Sequence, residues 1–286
     1  MATQHIRNPA EWAWDQVRNA ETALEWTVES ALGTDHASPT IRKITPDDLK
    51  AALRQGLDDT LAYRTDVIFL CLVYPLIGLL LITLAFNYEL LPLVFPLASG
   101  FALLGPVAAV GLYEMSRRRE QGHATNWADA FGVVHSHTFG AVFVLGLILL
   151  AIFIAWMIAA YEIYQVTLGP APPVSLASFA NDVFATRAGW TMIVVGIGVG
   201  FLFAVLVLSI SIVSFPLLLD REVGVATAME SSVRAAGKNP MTMAIWGMIV
   251  AGGLVLGSLP LLLGLILVMP VLGHGTWHLY RRVVEP

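Results

Sequence analysis

Two histidines four residues apart, His274 and His278, stand near the C-terminal end of the chain, where a helix puts both on one face. That spacing suits a metal ion, because neutral imidazoles one helical turn apart converge on a single point. A second pair, His135 and His137, lies just ahead of another apolar stretch, with Asp220 as a carboxylate for the same edge. No spacing fixes a third ligand, and imidazoles at helix ends bond equally well to backbone and water. The expectation is therefore no metal, no catalytic residue and no cofactor, with His135, His137, His274 and His278 as the candidates to check.

Other chemistries lack their residues. Haem ligation needs histidines paired at membrane depth, and none of the seven histidines falls in the middle of an apolar stretch. Proton or ion pathways are marked by ionisable groups inside a membrane, whereas Glu114, Glu162 and Asp220 all sit near the ends of apolar stretches. Gly196-Ile197-Gly198-Val199-Gly200 and Gly252-Gly253 with Gly257 read as close-packing positions between helices, not as a nucleotide fingerprint, which needs a strand before it. The single cysteine, Cys71, excludes disulfides and thiolate clusters and reads as a small buried apolar residue. No nucleic-acid partner is expected.

The elements that position these residues are membrane helices. With 57% hydrophobic and 13% charged residues among 286, the chain falls well below the roughly 25% charge of soluble domains. From Asp66 onward the apolar residues form runs near the ~20 that a bilayer-spanning helix requires. Six spans are expected: 66–86, 90–115, 138–161, 190–219, 241–257 and 261–282. Residues 1–40 form a polar head segment with too many charges for a signal peptide; it holds an amphipathic helix with Trp12, Ala20, Ala23, Leu24 and Val28 on one face. Residues 41–286 form the membrane domain.

A short helix precedes each pair of spans. The first opens at Thr45-Pro46-Asp47-Asp48, with a capping threonine, proline in the first turn and acids at the positive helix end, and carries the stripe Leu49, Ala52, Leu53, Gly56, Leu57. The second holds Trp127, Phe131 and Val134, and the third Ala226, Met229 and Val233. Proline–valine, glycine and paired arginine recur at equal spacing in Pro106-Val107/Gly111/Arg117-Arg118 and Pro270-Val271/Gly275/Arg281-Arg282. The fold expected is all-α: a polytopic bundle of three repeated units, about 44–119, 122–221 and 222–284, each a short amphipathic helix plus a transmembrane hairpin. Basic residues collect before the first span, between the second and third, between the fourth and fifth, and after the sixth, with only Arg187 opposite. The positive-inside rule then places both termini and all three short helices in the cytoplasm.

The chain resembles a family of bacterial integral membrane proteins, DUF2189. The resemblance is carried by Lys43-Ile44-Thr45-Pro46-Asp47-Asp48-Leu49 with Gly56-Leu57-Asp58-Asp59, by Gly105-Pro106 through Leu112-Tyr113-Glu114 to Arg117-Arg118-Arg119, by Pro216-Leu217-Leu218-Leu219-Asp220-Arg221, and by Gly273-His274-Gly275-Thr276-Trp277-His278-Leu279-Tyr280-Arg281. It implies an alphaproteobacterial origin and, from the cytochrome c oxidase label some members carry, at most an association with a respiratory complex. It carries no catalytic residues over. The function expected is that of a non-enzymatic accessory, assembly or scaffold component of a larger membrane complex. Its partners are the lipid bilayer and other membrane proteins, met through Trp12, Trp14, Trp26, Trp127, Phe131 and Met229. The alternative is a transporter or lipid-handling protein with a cleft between the hairpins.

Overall fold

The structure, a computed structural model, describes residues 31–32, 38–63, 66, 68, 71–85, 91–123, 127–136, 138–169 and 173–285. The expected head helix with Trp12, Trp14 and Trp26, and His137, lie outside the described residues. The elements are α1 (Pro46–Ala62), α2 (Val73–Ala85), α3 (Val94–Leu103), α4 (Gly105–Ala108), α5 (Val110–Glu120), a 3-10 helix (Trp127–His135), α6 (Phe139–Thr167), α7 (Leu176–Ala185), α8 (Arg187–Ser211), α9 (Ser214–Asp220), α10 (Val225–Lys238), α11 (Pro240–Ser258) and α12 (Leu265–Val283). No strand occurs among them. Among the described residues three stretches are long and apolar enough to cross a membrane: 139–167, the α8–α9 stretch 187–220, and 240–258.

Two of the expected spans take other forms. The stretch 90–115 is not one helix but α3, α4 and α5 in series, with breaks at Leu104 and Ala109 around Gly105-Pro106. A proline has no N–H and its ring crowds the preceding turn, so a break here follows from the sequence. The last stretch, α12, passes from outward-facing residues such as Leu267 into a half in which every residue from Leu272 to Gly275 is buried among other helices.

That second half of α12 belongs to a charged layer at one end of the bundle. α1 and α12 pack along each other more extensively than any other described pair of helices. The approach is at backbone distance: a Cβ on Gly56 would lie 2.5 Å from the Gly275 nitrogen and 2.6 Å from the Val271 oxygen. Leu49, Ala52, Gly56, Asp59 and Thr60 form the buried face of α1, so the expected stripe continues into polar residues, while Leu57 is exposed. The helix starts as its sequence dictates: Pro46 occupies the first turn, and the Thr45 N–H and hydroxyl both donate to the Asp48 carboxylate, each at 2.8 Å.

The chain before α1 is fastened to the chain after α12. Ile41 and Val284 pair as an antiparallel bridge, and the Arg42 N–H donates to the Val283 carbonyl at 2.7 Å. Asn239, at the root of α11, accepts from the Ile44 N–H at 2.8 Å and donates to the Arg42 carbonyl at 2.9 Å. Away from the layer the long helices turn apolar residues outward, among them Phe143, Leu147, Ile154, Val194, Phe201 and Leu202, as helices facing lipid must. Inside, Trp156 packs on Phe203 with ring centroids 5.7 Å apart and donates to the Pro96 carbonyl at 2.9 Å. Gly200 makes room for its ring, and Gly253 and Gly257 lie against α12, but Gly196, Gly198 and Gly252 face open space. Close packing thus accounts for half of the glycines expected to serve it.

Candidate functional site: a buried carboxylate hub

Asp59 occupies the last buried turn of α1, two α-carbon turns beyond Ala52 and opposite the ends of α5 and α12. Its Oδ1 accepts from Arg119 Nη1 at 2.6 Å, and the same nitrogen reaches the Asp58 carbonyl at 3.1 Å. Its Oδ2 accepts from the Ser116 hydroxyl at 2.6 Å and from His278 Nε2 at 2.9 Å. Ser116 Oγ lies also 2.7 Å from His274 Nδ1. One carboxylate therefore joins α1, α5 and α12, and three donors satisfy it. Burial alone would raise its pKa; the hydrogen bonds from His278 and Ser116, together with the neighbouring imidazoles, outweigh that and hold it below the usual carboxylate range.

The proton positions follow from the donor inventory. An ionised carboxylate only accepts, so the single Ser116 O–H points to Asp59, and His274 must donate its Nδ1–H to Ser116 Oγ. His274 is fully buried in the part of α12 that lies in the charged layer, outside the spans. Burial pushes its pKa down to about 4, against the upward pull of Asp59. It is neutral at pH 7, with Nε2 unprotonated. The Leu112 backbone also faces this ring and favours its protonation, yet among the described residues no group forms a hydrogen bond with Nε2.

Serine, histidine and aspartate together invite comparison with a nucleophilic triad, in which histidine stands between the other two. Here serine stands between aspartate and histidine. Its proton is committed to the carboxylate and the residue is only 1% exposed, so the arrangement is a tie between helices. Two further ties flank it. Glu114, nearly buried, accepts from Arg117 at 2.7 and 2.8 Å and from Arg118 at 2.8 Å, and Arg118 continues to Asp129 at 2.6 Å. Asp220 accepts from the Tyr280 hydroxyl at 2.6 Å and from Arg281 at 3.1 Å, while Arg281 and Trp277 both donate to Glu120.

Of the candidate ligands, His274 and His278 do share a face, but each directs a ring nitrogen into the Asp59 hub. Asp220 is engaged by α12. Among the described residues no group of three or more His, Cys, Asp or Glu side chains could hold a metal ion. Trp127 and Phe131 are exposed on the 3-10 helix, edge to face at 6.3 Å. Met229 is half-buried and packs against the core. No motif spacing singles out Asp59, Ser116 or Arg119; the signal available was the continuation of the α1 stripe past Gly56, where a carboxylate falls on the buried side.

No curated protein and no solved structure matches the chain. The chain is an integral membrane protein by its apolar helices, and of the four resemblance-carrying segments Gly105 to Arg119 and all but the last residue of Pro216 to Arg221 fall in the matched stretch: residues 94–220, from α3 through α9, match the model of the family described as predicted integral membrane protein (DUF2189).

Proposed function

We propose that the chain is a non-enzymatic component of the bacterial inner membrane that scaffolds or helps assemble a larger membrane complex, with both termini and the charged layer in the cytoplasm. The observation that supports this reading most is how the layer spends its charges. Asp59 and Asp220 each bind donors from neighbouring helices, and Arg118 joins Glu114 of its own helix to Asp129 of the 3-10 helix, which makes a rigid platform at the foot of apolar hairpins. Such a platform presents a fixed outer surface, and Trp127 and Phe131 lie on it as aromatic contacts for a partner or for headgroups. The three short helices ahead of the hairpins serve as repeated elements of that platform. Extraction from native membranes in a mild detergent, followed by affinity purification of the full chain, tests the proposal. A membrane protein recovered with it in fixed proportion is the expected result, and recovery of the chain alone refutes the scaffold.

The breaks at Leu104 and Ala109 favour a second reading. Interrupted helices at membrane depth are the sites where transporters bind substrate. In that case cysteines placed along α3 and α4 react with a water-soluble reagent deep within the bilayer, whereas a closely packed scaffold protects them.

A further inference from the structure

We propose that the third hairpin, α11 and α12, does not cross the membrane: its tip, Ser258 to Gly264, ends among the acyl chains and returns to the side it came from. α11 is long enough to span by its 19 residues, but its first part is used in the charged layer. Thr242 donates to the Ile44 carbonyl, and Met243 and Trp246 are buried. The next residue, Gly247, fixes a level: a Cβ there would lie 2.9 Å from a Leu208 methyl of α8. From that level α8 continues to Arg187, about 32 Å at 1.5 Å per residue, whereas α11 continues only to Ser258, at most about 17 Å. The hydrocarbon layer is about 30 Å thick. α12 adds no reach, since it is back in the layer by Val271, whose carbonyl meets Gly56.

The chemistry of the tip agrees with its depth. No Asp, Glu, Lys or Arg occurs between Lys238 and Arg281. Leu259 is 73% exposed and Leu261 86%, with Leu263 beside them. The one polar side chain, Ser258, returns its hydroxyl to the Leu254 carbonyl at 2.7 Å. Hydrocarbon offers no partners, so a turn placed in it must satisfy its own backbone. Pro260 has no N–H, and those of Leu259, Leu262, Leu263, Leu265 and Ile266 bond to carbonyls between Val255 and Leu263, so most of the turn's donors are satisfied locally, Leu261 and Gly264 being the exceptions. Leu261 and Leu262 adopt φ of 51° and 67°, a region where water-facing turns use Gly, Asn or Asp. Leucine at both positions gains nothing from water: Leu261 points outward, and Leu262 packs against Gly78 of α2. The connection between α6 and α8 contrasts in its polar and charged side chains, Ser175, Ser178, Asn181, Asp182 and Arg187.

Single cysteines test this in the full-length chain on a Cys71→Ala background: Leu261→Cys at the tip, Leu263→Cys as a second tip position with ordinary φ, and Val174→Cys in the α6–α8 connection. A membrane-impermeant maleimide is applied to intact cells and to inverted vesicles. Val174→Cys is expected to react from one face only. The tip cysteines are expected to react from neither face, but to react after dissolution in sodium dodecyl sulfate. The tip cysteines are then labelled with bimane and reconstituted in phosphatidylcholine–phosphatidylglycerol vesicles. Quenching by lipids with a nitroxide deep in the acyl chain is expected to exceed quenching by iodide at least several-fold, with the reverse order at Val174. Tip labelling from the Val174 face overturns the proposal in favour of a full crossing. Protection without lipid quenching overturns it in favour of a covering protein.

Discussion

Replacing Asp59 with asparagine keeps the shape of the hub and removes its charge. One terminal atom of asparagine accepts, but the other is an NH2 group, which must face either Arg119 or the Ser116–His278 pair, all of them donors in the wild type. Breaking a buried ionic contact by removing one partner costs about 3–5 kcal/mol. Arg119 is partly exposed, with 38% of its side chain accessible, and can turn to water, so the lower end applies: about 3 kcal/mol. At roughly 2–4 °C per kcal/mol for a chain of this order of size, thermal unfolding of the purified protein in detergent should fall by about 6–12 °C. The loss should begin locally, as faster hydrogen exchange in α1 than in α6 or α8. Pairing Asp59→Asn with Arg119→Gln should restore part of the loss, because the second change removes the stranded cation. A single variant that melts within about 1 °C of the wild type would refute the claim that this carboxylate ties the three helices.

Gly56→Ala forces a methyl to within 2.5 Å of the Gly275 backbone, where no side chain can swing aside, so it should cost at least about 2–3 kcal/mol; Gly237→Ala, on open space in α10, should stabilise slightly, and denaturant titration compares the two. The pH dependence has a definite sign. Unfolded chains bind a proton at His274 near its ordinary pKa of 6.5, the folded protein only near 4, so acidification from pH 7 to 5 should cost roughly 2 kcal/mol. Asp59, its pKa depressed below 3.8 in the fold, gives stability that is complete above that value and adds no slope in this window. His274→Asn, which retains a donor for Ser116, should flatten the stability profile between pH 7 and 5, as measured by melting at each pH. A phosphatase reporter fused after Pro286 should be inactive, and a fluorescent one bright, if the C-terminus is cytoplasmic.

The helical and membrane character of the chain is legible in the length of its apolar runs, and the start of α1 in Thr45-Pro46-Asp47-Asp48. Hydrophobicity does not show where a helix leaves the lipid. The apolar run from Leu261 reads as a span because Leu, Val and Met look alike on a lipid face and in a protein core, and only contacts with α1 and α5 distinguish the two halves of α12. The hub is hidden for a related reason. Asp59, Ser116 and His278 come from segments far apart in sequence, and nothing local to any of them predicts the other two. His274 and His278 stand out by spacing, but spacing gives their common face and not their partners, which are a carboxylate and a hydroxyl.

The pairing of residues 40–44 with 283–285, and of α1 with α12, has a consequence for biogenesis. α1 leaves the ribosome about 200 residues ahead of its docking surface on α12. At about 5–20 residues per second, α1 waits on the order of ten seconds or more with its apolar stripe and an unsatisfied Asp59 uncovered. The hairpins can insert one after another during synthesis, but closure of the bundle waits for α12, and every nascent chain that lacks α12 displays the same uncovered surface. Membrane proteases and holding chaperones thus have a single feature by which to tell a finished molecule from an unfinished one.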